Sequence, residues 1–194
     1  ADQGGNVYRL TWDAGEMFIA GDITITVGGV TDAAMNPIDV DGNSSTDAAA
    51  GVGIAPAVDT VAVVDGSTVD VTFDEAMDDG SAATTGNYTL SGTGQGSLAS
   101  NPDSAAAQGG NVYRLTWNAG EMVIGGDITI AVADATDLAG NEIVAGANDG
   151  TAAAGGIGVA PTVDSVAVVD GLTVDVAFTE AMGGAATTAG NYTV

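Results

Sequence analysis

The sequence of 194 residues contains no cysteine, no histidine and no lysine, and its only basic side chains are Arg9 and Arg114. Without cysteine there is no disulfide framework and no thiol chemistry. The usual general bases, nucleophiles and Schiff-base formers are also missing, which excludes most enzyme classes. The net charge of −24 leaves no basic patch for a nucleic acid. No apolar run approaches the roughly 18 residues of a spanning helix, so we expect no membrane insertion.

Small and β-forming residues dominate what is present. Hydrophobic residues make up 45% of the chain, enough for a core, and Asp outnumbers Glu by 21 to 5. The scarcity of long helix formers favours strands and turns over helices. The acidic charge predicts strong self-repulsion at low salt, which high ionic strength or a divalent ion such as Ca²⁺ would relieve. A saline or marine setting fits this composition, while the absence of cysteine leaves the cellular compartment open.

An internal repeat organises the chain. Residues 3–27 match residues 108–132 at 21 of 25 positions, and residues 55–77 match residues 160–182 at 18 of 23, both at an offset of 105. Such self-similarity is typical of tandem domains. The stretch 91–105, rich in Ser and Gly, has no second copy and is interpreted as a loop.

Two Ala-Pro pairs, at residues 55–56 and 160–161, mark the predicted domain boundaries. Each follows a tract of Gly and Ala, and proline stiffens such a short linker. We therefore expect three parts: a central segment (residues 55–159) that is a complete repeat, a first segment (1–54) that is the C-terminal part of another, and a last segment (160–194) that is the N-terminal part of a third.

Alternating apolar residues predict half-buried strands within each repeat. One face of each strand is then core and the other is solvent. Asp65-Gly66 predicts a tight hairpin. About seven short strands in about 105 residues predict an all-β fold of tandem immunoglobulin-like β-sandwich repeats. The alternating sets are Val69, Val71 and Phe73; Tyr113, Leu115 and Trp117; and Ile128, Ile130 and Val132.

Two short motifs resemble the bacterial Ig-like domains of surface-layer and adhesin proteins, the SbsA Ig-like type. The stretches FDEAM (73–77) and FTEAM (178–182) resemble the family's FSEPM-like turn, and TDLAGN (136–141) resembles its DLAGN element. The first copy of the second motif departs from it, reading TDAAMN (31–36). The resemblance covers essentially the whole chain and implies a stalk or lattice role at the cell surface, with no reaction.

Carboxylates are the remaining groups with chemistry to offer. Asp74 and Glu75 are adjacent and should point to opposite sides, and Thr179 replaces Asp74 in the second copy, so a solvated turn is favoured over a glycosidase pair. The chain is therefore not expected to be an enzyme.

Calcium is the better chemical hypothesis, because it takes oxygens from Asp, Asn and backbone carbonyls. One candidate is the loop at residues 39–47; the others are acidic and amide positions present in both copies, which could meet at a domain junction and stiffen the chain. The alternative is that these side chains cap turns and strand ends. The candidates are Asp39, Asp41, Asn43 and Asp47 in the loop, and Asp32, Asn36, Asp59, Asp137, Asn141 and Asp164 in the repeated positions.

Split sandwiches at both ends predict self-association. The core side chains of the first and last segments would face water, and each is worth about 1.5–3 kcal/mol when buried. We expect them to be completed head to tail by a neighbouring unit, or by the continuing chain of a longer polypeptide. Both give an extracellular filament, stalk or surface layer whose partner is the chain itself. The alternatives are a calcium-stiffened adhesin stalk or a carbohydrate-binding module, in which Trp12 or Trp117 would stack on sugars unless both are core.

Overall fold

The computed structural model of the chain describes residues 1–193, and Val194, the last residue of the predicted last segment, lies outside the described residues. The fold is all-β, as predicted. The strands are β1 Ile23–Thr26, β2 Ser44–Asp47, β3 Val58–Asp65, β4 Thr68–Phe73, β5 Tyr88–Ser91, β6 Ser104–Gly109, β7 Val112–Thr116, β8 Ile128–Val132, β9 Asp149–Ala152, β10 Val163–Asp170 and β11 Thr173–Phe178. The helices are α1 Asp79–Ala82 and the 3₁₀ helices Thr85–Asn87, Gly184–Thr187 and Ala189–Asn191. Among residues 1–193, no helix has the length and apolar character needed to cross a bilayer.

Strands β3 to β9 form two antiparallel sheets, in the orders β3-β4-β7-β6 and β5-β8-β9. We call this unit the central sandwich. Apolar residues at alternate strand positions are buried in one shared core, to which β4, β7 and β8 contribute the sets that the alternation predicted. Alternation produces this core because successive side chains on a strand point to opposite faces. Seven strands build the sandwich, as the spacing of the turns indicated.

The β3–β4 hairpin closes through Gly66 and Ser67, so the predicted tight turn is confirmed. The Asp65 carboxylate accepts the backbone N–H of Ser67 at 2.9 Å, the local bond that favours Asp at such a turn. That hydrogen bond, with others from Thr68 and the Ser67 side chain, lowers the pKa of Asp65. A side chain at Gly66 would lie 2.5 Å from the carbonyl oxygen of Ile157, so the close approach of the following linker requires glycine.

Strand β7 is the best-supported strand of the larger sheet, since it pairs with β4 on one side and β6 on the other. Its inward side chains, Tyr113 and Leu115, are buried, and so is Trp117 directly after the strand. On its outer face, Arg114 donates to both carboxylate oxygens of Asp70 on β4, each at 2.8 Å. The strand therefore combines a full ladder, core packing and a bidentate ion pair.

The first segment contains the same ten residues as β7 and its lead-in, because residues 3–12 and 108–117 are identical. In the first segment they form no strand, only an isolated bridge between Asp2 and Tyr8. Tyr8 is 69% exposed where Tyr113 is 4% exposed, and Trp12 is 63% exposed where Trp117 is 2%. A strand is stabilised by its ladder and by packing more than by intrinsic preference. The first segment has no counterpart of β4, so it lacks both the strand partner for the ladder and the packing.

The last segment supplies the opposite half of a sandwich. Strands β10 and β11 form a hairpin whose register repeats that of β3 and β4. It pairs with no other strand within residues 1–193, and β1 and β2 likewise form a separate two-stranded sheet. Apolar side chains whose counterparts are buried or partly buried in the central sandwich are therefore exposed here, among them Val166, Val168 and Val174.

Candidate functional site

The side chain of Asn141 joins the first segment to the central sandwich. Its Nδ2 donates to Glu16 Oε1 at 2.7 Å, and its Oδ1 accepts the backbone N–H of Ile19 at 2.7 Å. A third, longer contact runs from Nδ2 to the carbonyl oxygen of Met17 at 3.3 Å. Asn141 is 1% exposed, so these bonds are shielded from water. We call this contact the joint.

The loop from Asp137 to Asn141 presents that amide in a fixed orientation. Asp137 Oδ1 accepts the backbone N–H groups of Ala139 and Asn141 at 2.7 and 2.8 Å, and Oδ2 accepts Asn141 Nδ2 at 2.8 Å. Gly140 adopts a φ of 91°, a conformation that favours glycine. Asp137 itself is 2% exposed. The DLAGN-like motif thus folds into a pre-organised amide acceptor and donor, which we call the latch loop.

The linker of the first segment is packed against the joint. A side chain at Gly53 would collide with the carbonyl oxygen of Met17 and the amide of Asn141, and one at Gly51 would collide with the carbonyl oxygen of Phe18. The backbone N–H of Ile54 also points at Glu16 Oε2, at 3.3 Å. The glycines before the Ala-Pro pair therefore allow close packing at the joint.

Three carboxyl groups meet at the joint: Glu16, Glu75 and Asp137 each place one oxygen within 4.8 Å of the others. Burial, reinforced by the charges of Glu16, Asp137 and Asp74, raises the pKa of Glu75. Burial also opposes ionisation of Asp137, but hydrogen bonds with Glu16, Asn141 and the backbone N–H of Ala139 hold its pKa below the ordinary value. The three carboxyl groups together concentrate negative charge at the joint, and either a proton or a cation can offset that charge.

Carboxylate oxygens are the ligands that Ca²⁺ prefers, and it takes roughly six to eight of them with carbonyls and water. Glu16, Glu75 and Asp137 could supply three, with the rest from water or backbone carbonyls. The Asn141 amide is engaged in hydrogen bonds with Glu16, Ile19 and Asp137, so the three carboxylates are the groups at the joint that could bind an ion.

Half of a second joint is present at the other end of the central sandwich. Glu121 and Glu180 are the repeat counterparts of Glu16 and Glu75, and Glu121 Oε2 accepts the backbone N–H of Val159 at 3.2 Å, as Glu16 does from Ile54. Burial and contact with the Glu121 carboxyl raise the pKa of Glu180. Its Oε1 is buried without a hydrogen-bond partner among the described residues.

An unoccupied latch loop lies in the first segment. Asp32 Oδ1 accepts the backbone N–H groups of Ala34 and Asn36 at 2.9 and 2.8 Å, and Oδ2 accepts Asn36 Nδ2 at 2.9 Å. These bonds match those of Asp137 one for one, even though the sequence reads TDAAMN. Met35 takes the place of Gly140, with a φ of 68°. Asn36 makes no hydrogen bond to another segment within residues 1–193, and we call this the open latch loop.

The remaining calcium candidates lie elsewhere, and none is close to the three carboxyl groups at the joint, Glu16, Glu75 and Asp137. Asp39 accepts the backbone N–H of Asp41 at 3.0 Å, and Asn43 donates to the carbonyl oxygen of Val27 at 2.9 Å, both turn-forming bonds. Asp47 lies in β2. Asp59 and Asp164 lie exposed in β3 and β10. Of the ten candidates, the structure brings Asp137 and Asn141 to a junction between segments.

Sequence reasoning missed Glu16, and it considered Glu75 only as one half of a glycosidase pair and favoured a solvated turn there. A signal was available, since four of the five glutamates form two repeat pairs, 16 with 121 and 75 with 180, in a chain that otherwise uses aspartate. As for the aromatic candidates, Trp117 is core, with Nε1 donating to the carbonyl oxygen of Ala99 at 2.8 Å, and its ring is not available to stack on a sugar. Trp12 is exposed, so the expectation of a core position is not met there within residues 1–193.

The fold and the joint define an all-β sandwich protein with repeated inter-segment contacts. No family model and no curated protein matches the chain. Three structures of the S-layer protein SbsC are similar to it, each at 21% sequence identity over 58% of this chain. The SbsC(31–844) structure has a TM-score of 0.42, and the match covers 15% of its length. The N-terminal part of SbsC has a TM-score of 0.42 with 26% of its length covered, and domains 1–6 of SbsC have a TM-score of 0.43 with 16% covered. This chain thus spans about a quarter or less of the proteins it matches.

Proposed function

We propose that the chain is a non-catalytic, extracellular structural protein that forms a filament, a stalk or a surface layer. Each split sandwich is completed head to tail, by the neighbouring unit or by the continuing polypeptide. The repeat pattern, the family resemblance and the acidic, lysine-free composition support this role. The observation that carries it is the contrast between two identical stretches, residues 3–12 and 108–117.

Tyr113, Leu115 and Trp117 are core in the central sandwich, whereas their counterparts Tyr8, Leu10 and Trp12 are exposed. The central sandwich therefore shows the environment in which these side chains are buried, and the first segment does not provide it. Burying an exposed Leu, Val or aromatic side chain contributes about 1.5–3 kcal/mol. Exposed apolar patches on this scale are characteristic of interaction surfaces.

The two incomplete ends are complementary. The last segment has the counterparts of β3 and β4 in β10 and β11, and it also keeps the Tyr192 hydroxyl bond to the carbonyl oxygen of Ala186 that Tyr88 makes to Ala82. The first segment has the counterparts of β8 and β9 in β1 and β2, together with the stretch that forms β7. Together the two halves contain counterparts of β3, β4, β8 and β9, the stretch that forms β7, and parts of β5 and β6.

The test is the size and state of the native material and of the isolated 194-residue chain. A native polypeptide near 18.7 kDa that forms strings in electron microscopy supports completion by a neighbouring unit, while a far larger mass supports the continuing chain. A purified chain that sediments as a monomer at all concentrations, with Trp12 shielded from quenchers, contradicts the proposal. In that case the exposed stretch would be buried within one chain.

A calcium-stiffened stalk is the second candidate. The observation that favours it is the group formed by Glu16, Glu75 and Asp137, whose oxygens lie within 4.8 Å of one another. An ion at this position would link the first segment to the central sandwich and restrict bending. Melting with and without a chelator tests this candidate, and an unchanged transition contradicts it.

A further inference from the structure

We propose that Arg9 of one chain forms an ion pair with Asp175 on β11 of a second copy, and that this pair sets the register in which copies join. The inference rests on the proposed function and gives its contact surface in residues. It assigns a role to the second of the two arginines in the chain.

The central sandwich contains the contact in finished form. Strand β7 pairs with β4 so that Arg114 lies opposite Asp70, Leu115 opposite Val69, and Tyr113 opposite Val71. Arg114 Nε and Nη2 donate to the two oxygens of Asp70, each at 2.8 Å. Bidentate pairs of this kind add geometric specificity as well as attraction.

Both partners recur, in separate halves. Residues 7–11 repeat the sequence of β7, and β11 reads TVDVAF where β4 reads TVDVTF. The ion pair of Arg114 with Asp70 is the one salt bridge found among residues 1–193, so Arg9 has no carboxylate partner there. Asp175 is exposed on β11, whose only strand partner is β10. Transferring the β4–β7 register places Arg9 opposite Asp175, Leu10 opposite Val174, and Tyr8 opposite Val176.

The arginine is needed to select this register. A slip of one residue would turn the apolar side chains outward, so the core already excludes it. A slip of two residues keeps every side chain on its face and brings Arg9 opposite Thr173 or Ala177. On the outer face of the strand, the ion pair distinguishes the correct alignment from these two, in a surface otherwise dominated by negative charge.

The joints provide independent support for the same arrangement. When residues 1–12 of one copy complete β10 and β11 of another, the open latch loop (Asp32–Asn36) meets Glu121 and Glu180 of that other copy. This reproduces the contact of the Asp137–Asn141 loop with Glu16 and Glu75. Glu180 Oε1, buried without a donor, lies at the half-joint that the loop would complete. Asn36 Nδ2 would donate to Glu121, as Asn141 Nδ2 does to Glu16 Oε1.

The experiment uses two full-length variants, Arg9→Asp and Asp175→Arg, measured separately and as an equimolar mixture by sedimentation velocity. In each variant alone, every contact between copies places like charges together, and we expect the association constant to fall at least tenfold. In the mixture, each contact joins opposite charges again, and we expect alternating assemblies of wild-type size. Unfolding of the central sandwich should be unchanged in both variants, since neither position lies in it.

The matched control is Asp164→Arg, which makes the same charge change on the neighbouring strand β10 and keeps both Arg9 and Asp175. It should assemble alone as the wild type does. If wild-type chains assemble but Asp164→Arg weakens assembly as much as Asp175→Arg does, or the mixture of Arg9→Asp and Asp175→Arg restores nothing, the register is wrong while the proposed function stands. If wild-type chains do not assemble at all, both proposals fail.

Discussion

Asn141 and Glu16, 125 positions apart, share a hydrogen bond of 2.7 Å at the joint between the first segment and the central sandwich. The amide satisfies groups on both sides, because its other end accepts the Ile19 N–H and its own loop is fixed by Asp137. A residue that bridges two segments in this way fixes their relative orientation, provided that its partners stay buried.

Asn141→Ala should therefore destabilise the joint. Removing the amide leaves the Ile19 N–H without its acceptor, and Glu16 Oε1 and Asp137 Oδ2 without their amide donor. Unsatisfied buried groups cost roughly 1–3 kcal/mol. We expect a loss of this size in the free energy of unfolding and faster proteolysis near residues 16–21. Asn118→Ala is the control, since Asn118 is exposed and only its backbone N–H is bonded, to Asp103 at 2.7 Å. Equal stability of the two variants would contradict a bridging role.

The three carboxyl groups at the joint should make the free energy of unfolding depend on pH. Glu75 has a raised pKa in the folded state, chiefly through burial, so the folded protein binds its proton more tightly than the unfolded chain does. Its contribution is most favourable below the ordinary glutamate value of 4.5 and is lost as the pH rises through the raised pKa. Asp137 acts in the opposite sense: its contribution is present above 3.8 and is lost as the pH falls through its lowered pKa.

Glu75→Gln isolates the first of these effects. The variant should be more stable than the wild type at pH 7 and should lose that advantage as the pH falls through the raised pKa of Glu75. Denaturant unfolding between pH 3 and pH 8 measures the difference, and Glu142→Gln, the same change at an exposed glutamate, serves as the control. If the difference in the free energy of unfolding between wild type and variant stays constant with pH, the pKa of Glu75 is not raised in the folded state.

Much of the central sandwich could be predicted from the sequence, because alternation fixes which side chains of a strand face the core. Val69, Val71 and Phe73 were identified in this way, and Asp65-Gly66 located the hairpin. Alternation says nothing about whether a partner strand is present. Residues 3–12 and 108–117 are identical yet differ in structure, so their state depends on the rest of the chain.

The joint was harder to predict, for a physical reason. Glu16, Glu75 and Asp137 are far apart in sequence, and they meet only because the linker packs closely at Gly51 and Gly53. The motif at residues 136–141 pointed to Asp137 and Asn141, but as ion ligands or turn caps. Their hydrogen bonds show the capping role directly, with a bridging role added by the amide.

Calcium is tested most directly by the melting temperature. If the joint binds Ca²⁺, millimolar calcium should raise the transition and a chelator should lower it, because an ion that binds the folded state stabilises it by mass action. Glu16→Gln should abolish the increase, whereas Asp39→Asn, in the loop outside the joint, should preserve it. The reverse pattern would place the site at residues 39–47. If calcium raises the transition of no variant and not of the wild type, the three carboxyl groups at the joint bind no Ca²⁺, and protons and hydrogen bonds alone offset their charge.

Trp12 and Trp117 allow folding and assembly to be separated with one substitution at equivalent positions. Trp117→Ala should cost about 3–5 kcal/mol in unfolding, as expected for a large side chain removed from a core. Trp12→Ala should leave the unfolding of the central sandwich unchanged, because Trp12 is 63% exposed, and should instead weaken association between copies. Chemical denaturation measures the first effect and sedimentation velocity the second. If Trp12→Ala destabilised the isolated monomer as much as Trp117→Ala, residues 3–12 would already be packed within one chain, and completion by a second copy would not be needed.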